Sequence, residues 1–81
     1  MSITLEQCRA ARGLLGSNQA WLAERSHVSL RAIQDFESGK RQPIPATLAA
    51  IRTALEAAGV QFIPENGGGA GVRLRRSGAL G

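Results

Sequence analysis

The sequence predicts a mainly α domain of four short helices, the second and third joined as a helix-turn-helix, followed by a short pair of C-terminal β-strands. Three observations predict it. Within residues 19–43, two short amphipathic segments flank a break too tight for anything but a sharp helical turn. In the first, Ala20, Leu22, Ala23 and the stem of Arg25 alternate with polar residues; in the second, Leu30, Ile33, Phe36 and Glu37 recur at three- and four-residue spacing, the period of a helix with one buried stripe. Helix-start residues precede each helical segment: Thr4, Asn18, Ser29 and Pro45. After Gly59 the period changes to alternation, as in strands.

Residues 1–3 read as a short arm. Thr4 with Gln7 three residues on makes a T-x-x-Q capping box, opening a first helix over Leu5–Leu15. Its apolar stripe is Leu5, Cys8, Ala11, Leu14 and Leu15, and Gly16 and Ser17 end it. Asn18 caps a second helix, Gln19–Ser26, and Ser26, His27 and Val28 turn the chain. The third helix runs over residues 30–38, with Gly39 as the positive-φ residue just past its end. Lys40, Arg41, Gln42 and Pro43 form a basic loop. A fourth helix over residues 46–58 buries Leu48, Ala49, Ile51, Leu55 and Ala58, with Pro45 suited to its first turn. Val60-Gln61-Phe62-Ile63 and Val72-Arg73-Leu74-Arg75 then alternate on either side of PENGGGAG. As strands, Val60 and Phe62 meet Val72 and Leu74, leaving Arg73 and Arg75 outside; the alternative is a loose tail. The organisation is thus 1–59 a helical domain, 60–76 a β segment for dimerisation or partner binding, and 77–81 a flexible tail.

Eighty-one residues suffice for one small domain. A single cysteine, Cys8, excludes an internal disulfide, and with His27 the only histidine no cluster has metal-ligand spacing. Ten Lys+Arg against six Asp+Glu give a formal charge of +4, a balance suited to a polyanionic partner. No apolar run is long enough to span a bilayer, and the N-terminus lacks the basic start and apolar core of a signal peptide, so a cytoplasmic setting is expected. The run Gly67-Gly68-Gly69-Ala70-Gly71 is not a phosphate loop: no Lys-Ser/Thr follows it. No nucleophile stands beside a base and no carboxylates are paired at a defined spacing, so no enzyme, cofactor or metal site is expected.

Arg12, Gln19, Leu22, Ala23, Val28, Ser29, Ile33, Glu37, Gly39, Arg41 and Pro43 follow the string R…Q-x-x-L-A…V-S-x-x-x-I-x-x-x-E-x-G-x-R-x-P. Over residues 4–59 the chain thereby resembles the lambda-repressor/Cro-type helix-turn-helix family, also called the XRE family. The resemblance implies a bacterial transcriptional regulator that binds double-stranded DNA, usually as a two-fold dimer on an inverted-repeat operator, with the third helix in the major groove. It also implies an ion pair between Arg12 and Glu37 that holds that helix. Three positions differ from the family habit: His27 stands where Gly is common in the turn, Trp21 where a charged residue is common, and Ser17 where an apolar one is.

On that reading Leu30, Arg31, Gln34 and Asp35 face base edges. Arg31 suits guanine O6 and N7, Leu30 a thymine methyl, Gln34 adenine or a phosphate, and Asp35 cytosine N4. Arg31 and Asp35 also stand four apart, the spacing of an intrahelical ion pair. Gln19 meets a phosphate at the start of the second helix, or is simply solvated there. Ser29 caps the third helix, alone or with a further contact to the DNA backbone or a base, while Lys40 and Arg41 grip phosphates. A second function fits the same fold: an antitoxin or anti-activator that holds another protein through Trp21 and the C-terminal strands.

Overall fold

A computed structural model describes residues 2–75. Among these residues the order is α1 (Leu5–Leu15), α2 (Gln19–Ser26), α3 (Leu30–Glu37), α4 (Pro45–Ala57), β1 (Val60–Ile63) and β2 (Gly71–Leu74). The architecture is the expected one: four helices and an antiparallel hairpin. The flexible tail expected at 77–81 lies outside the described residues.

Local signals set the helix ends. The Thr4 hydroxyl accepts the Gln7 N–H at 3.1 Å, and Gln7 Oε1 accepts the Thr4 N–H at 2.9 Å, closing the capping box. Asn18 Oδ1 accepts the Trp21 N–H at 2.8 Å, and Ser29 Oγ accepts that of Ala32 at 3.1 Å. The third helix ends one residue earlier than the sequence suggests. Ser38 is its cap and Gly39 follows at φ 80. There the Gly39 N–H reaches Phe36 O at 3.1 Å and the Lys40 N–H reaches Asp35 O at 2.9 Å, a Schellman closure. The fourth helix is shifted back by one: Pro45 is its first residue, where the missing N–H has no helical partner to lose.

The core gathers Cys8 and Ala11 of α1, Leu22 of α2, Ile33 and Phe36 of α3, Leu48, Ile51 and Leu55 of α4, and Val60 and Phe62 of β1. It also takes Ile3, which is only 3% exposed, so the expected arm is part of the core. Three other expectations about the helices are corrected. Leu14 is 44% exposed. It shares a helix face with Gln7 but stands two turns further on, and the hairpin rests on the Gln7 end. Ala49 and Ala58 are exposed, because Leu48, Ile51 and Leu55 at three- and four-residue steps already make the inward face of α4.

The hairpin pairs Val60 with Leu74, Gln61 with Arg73, Phe62 with Val72 and Ile63 with Gly71. The Arg75 N–H extends the ladder to Gly59 O at 2.6 Å. The loose-tail alternative is therefore excluded for residues 60–75. Val72 packs on the core, Arg73 is exposed and bonded to Gln61 Oε1 at 2.9 Å, and Arg75 is exposed, as expected. Leu74 instead stays 49% exposed. Its partner Val60 is fully buried in the core, so strand pairing by itself does not cover Leu74. Between the strands, Glu65 Oε2 accepts the N–H groups of Gly67 at 3.3 Å and Gly69 at 3.1 Å, so the glycine run closes a hairpin loop on its own carboxylate.

Gln7 holds the hairpin to the helices. Buried at 4% exposure, its Nε2 donates to Ile63 O at 3.2 Å and Gly71 O at 2.9 Å, one carbonyl on each strand. One side chain thus caps α1 and clamps β1 and β2 against it.

Candidate nucleic-acid interface

The α2–turn–α3 unit is built around Leu22, which is fully buried. The Ser26 hydroxyl donates back to Leu22 O at 2.6 Å, consuming a polar group that would otherwise be stranded against the core. His27 then adopts the left-handed conformation, φ 59 and ψ 30, among the described residues the one non-glycine at positive φ. It lets the Val28 N–H bond Ala23 O at 3.2 Å and turns Val28 onto the core. The residue at odds with the family habit therefore takes the backbone shape for which glycine is common there.

Glu37, at the inner end of α3, ties three helices together. Its carboxylate is 4% exposed and receives Arg12 Nε at 2.8 Å and Arg12 Nη2 at 2.6 Å, a bidentate pair. Gln19 Nε2 donates to it at 3.0 Å and Cys8 Sγ at 3.1 Å. Arg12 Nη1 also reaches Ser17 O at 3.2 Å. Burial by itself pushes the Glu37 carboxyl up, but the hydrogen bonds from Arg12, Cys8 and Gln19 and the Arg12 charge outweigh it and hold the group below the ordinary carboxylate range. The bond to Glu37 raises the Arg12 guanidinium in turn. Burial and then Glu37 push the Cys8 thiol far up, so Cys8 is a neutral donor in the core, not a reactive thiol. The Arg12–Glu37 pair implied by the resemblance is present; the roles of Cys8 and Gln19 in it were not legible beforehand.

With its inner end held, α3 turns the opposite side outward. Leu30 is 41% exposed, and Arg31 and Gln34 are exposed with it. Asp35 is on the same side but mostly covered, and its Oδ1 accepts Arg31 Nε at 3.3 Å. Lys40 and Arg41 follow directly, exposed, with both backbone N–H groups on Asp35 O at 2.9 and 3.2 Å. Ser29 is engaged as the helix cap. Gln19, expected toward a phosphate, has its amide on Glu37. Trp21 is half-buried against the core with the Arg25 guanidinium 5.5 Å from its ring centre.

Among the described residues no group of three or more His, Cys, Asp or Glu could hold a metal ion, and no helix is long and apolar enough to cross a membrane. The helix-turn-helix family matches residues 9–58, more than half of the chain. The chain belongs to the lambda-repressor/Cro (XRE) helix-turn-helix family. The match spans α1 from its second turn through the end of α4, so it contains Glu37 with Arg12 and Gln19 and the exposed face of α3, while Cys8 and the hairpin lie outside it. Comparison with curated proteins finds no match. Membership in this helix-turn-helix family makes the chain a DNA-binding regulator by fold.

Proposed function

We propose that this protein is a sequence-specific transcriptional regulator that binds an inverted-repeat operator as a homodimer, with α3 in the major groove. One observation carries the reading: α3 is anchored on its inner side by a buried carboxylate with four donors, while its outer side offers Leu30, Arg31 and Gln34 to solvent. A helix held that firmly presents side chains in one orientation, which base recognition requires. Lys40 and Arg41, pinned at their backbone to Asp35, and Ser29 at the start of α3 supply the phosphate contacts. Gln19 joins them through the amide N–H that Glu37 leaves over.

Selection of bound duplexes from a random pool tests the reading. A palindromic site with half-sites about one helical turn apart supports it. Binding with no sequence preference, or none at all, refutes it. A second reading is favoured by one feature, the half-exposed Leu74 on an ordered hairpin outside the family match: a protein partner that adds a strand there. A stable heteromeric complex that leaves the DNA unbound supports that reading instead.

A further inference from the structure

Arg31 and Asp35 are placed against the electrostatics of their own helix. Arg31 is the second residue of α3, where the unbonded N–H groups already concentrate positive charge. Asp35 is near the other end, where the carbonyls concentrate negative charge. A basic residue four positions before an acidic one is also the weaker order for an intrahelical pair. Helix stability therefore does not account for this pair, and Arg31 stays 72% exposed within it.

The bonding pattern does account for it. The contact uses Arg31 Nε, at 3.3 Å from Asp35 Oδ1. That leaves the two terminal nitrogens of the guanidinium outside the contact, and those are atoms that can bond guanine O6 and N7 in bidentate fashion. Asp35 is suited to hold and not to read: its side chain is 17% exposed against 72% for Arg31. Its backbone is fixed as well, since its carbonyl accepts the N–H groups of Lys40 and Arg41 and the Ser38 hydroxyl at 2.9, 3.2 and 3.2 Å. A long, flexible arginine held in its binding geometry loses less rotamer freedom when it meets a base.

We infer that Asp35 is a specificity-determining positioning residue, which orients Arg31 to read a guanine, and that it does not itself contact a base. This rests on the DNA-binding reading above and replaces the expectation that Asp35 accepts from cytosine. It also links the base reader to the phosphate loop, because the same residue fixes the start of Lys40-Arg41.

The test uses the full chain and the duplex selected from a random pool, with single base-pair changes at each position. Wild type is expected to prefer guanine at one position of each half-site by roughly 10- to 100-fold. Asp35→Ala lowers that one preference by about ten-fold and leaves the preferences elsewhere intact. Asp35→Asn, which keeps an acceptor oxygen at the same reach, restores most of it. Arg31→Ala abolishes it, and adding Asp35→Ala to that variant changes nothing further. Far-UV circular dichroism confirms that each variant is folded. An Asp35→Ala variant that relaxes a cytosine preference even in the Arg31→Ala background overturns the inference, as Asp35 is then a reader. An equal loss of affinity for every sequence overturns it too, as the role is then purely structural. A selected site with no guanine dependent on Arg31 overturns the inference alone, whereas a wild-type chain that selects no sequence refutes the regulator reading with it.

Discussion

Arg12→Ala removes one side of the most enclosed charge pair among the described residues. It takes away the contacts to Glu37 at 2.8 and 2.6 Å and the one to Ser17 O at 3.2 Å. The Glu37 carboxylate, 4% exposed, is left with Gln19 and Cys8 as donors. Breaking a buried pair by removing one partner costs about 3–5 kcal/mol. Arg12 is 19% exposed, so water can partly take its place and the loss belongs near the lower end, about 3 kcal/mol. For a domain of this size that is a large share of a total stability of roughly 4–12 kcal/mol. Replacing both partners, Arg12→Met with Glu37→Leu, leaves no buried charge, and stability is expected within about 1 kcal/mol of wild type. Urea unfolding followed by Trp21 fluorescence measures both, because Trp21 packs on the core and is the only tryptophan. A loss under about 1 kcal/mol for the single variant, or equal losses for single and double, refutes the account.

The same pair sets the acid limb of stability. Glu37 is held below the ordinary carboxylate range in the folded chain. Its contribution is therefore complete above that range and is lost as pH falls through the lowered folded value. The double variant is expected to lack this loss, read as a flatter midpoint-against-pH curve on the acid side.

Other outcomes follow from single residues. His27→Gly is expected to stabilise by about 0.5–1 kcal/mol in denaturant unfolding, since a left-handed non-glycine costs roughly 1–2 kcal/mol and glycine gives part of that back as unfolded-state freedom. Gln7→Leu leaves the Ile63 and Gly71 carbonyls without their donor and is expected to cost about 2 kcal/mol, with amide exchange rising first in β1 and β2; unchanged exchange there contradicts the clamp. Lys40→Ala is expected to weaken DNA binding about equally across sequences and to reduce the slope of log K against log salt by about one, read by fluorescence anisotropy.

Much of this was legible in the chain because it is local. Thr4, Asn18, Ser29 and Gly39 act on backbone groups within a few residues, so type and spacing alone placed the helix ends to within a residue. The Arg12–Glu37 pair was legible only as an implication of the family resemblance. Gln7 was legible only in half. Its capping role is three residues long, but its other bonds reach 56 and 64 positions along the chain, and no local pattern encodes a partner at that distance. Ile3, Leu14 and Leu74 failed for a related reason: an apolar residue is buried only where another element covers it, and which element does so is a property of the assembled whole.

The sequence by itself determined the elements, their order, the turn between α2 and α3 and the family. Periodicity, caps and a tight motif are short-range, and short-range physics decides them. Only the tertiary structure decided which distant partners the polar side chains take. Gln19 is drawn to Glu37, and Cys8 becomes a donor in the core. A polar group withdrawn from water must find a partner among whatever the packing brings near, and the packing is not written in any one stretch of the chain.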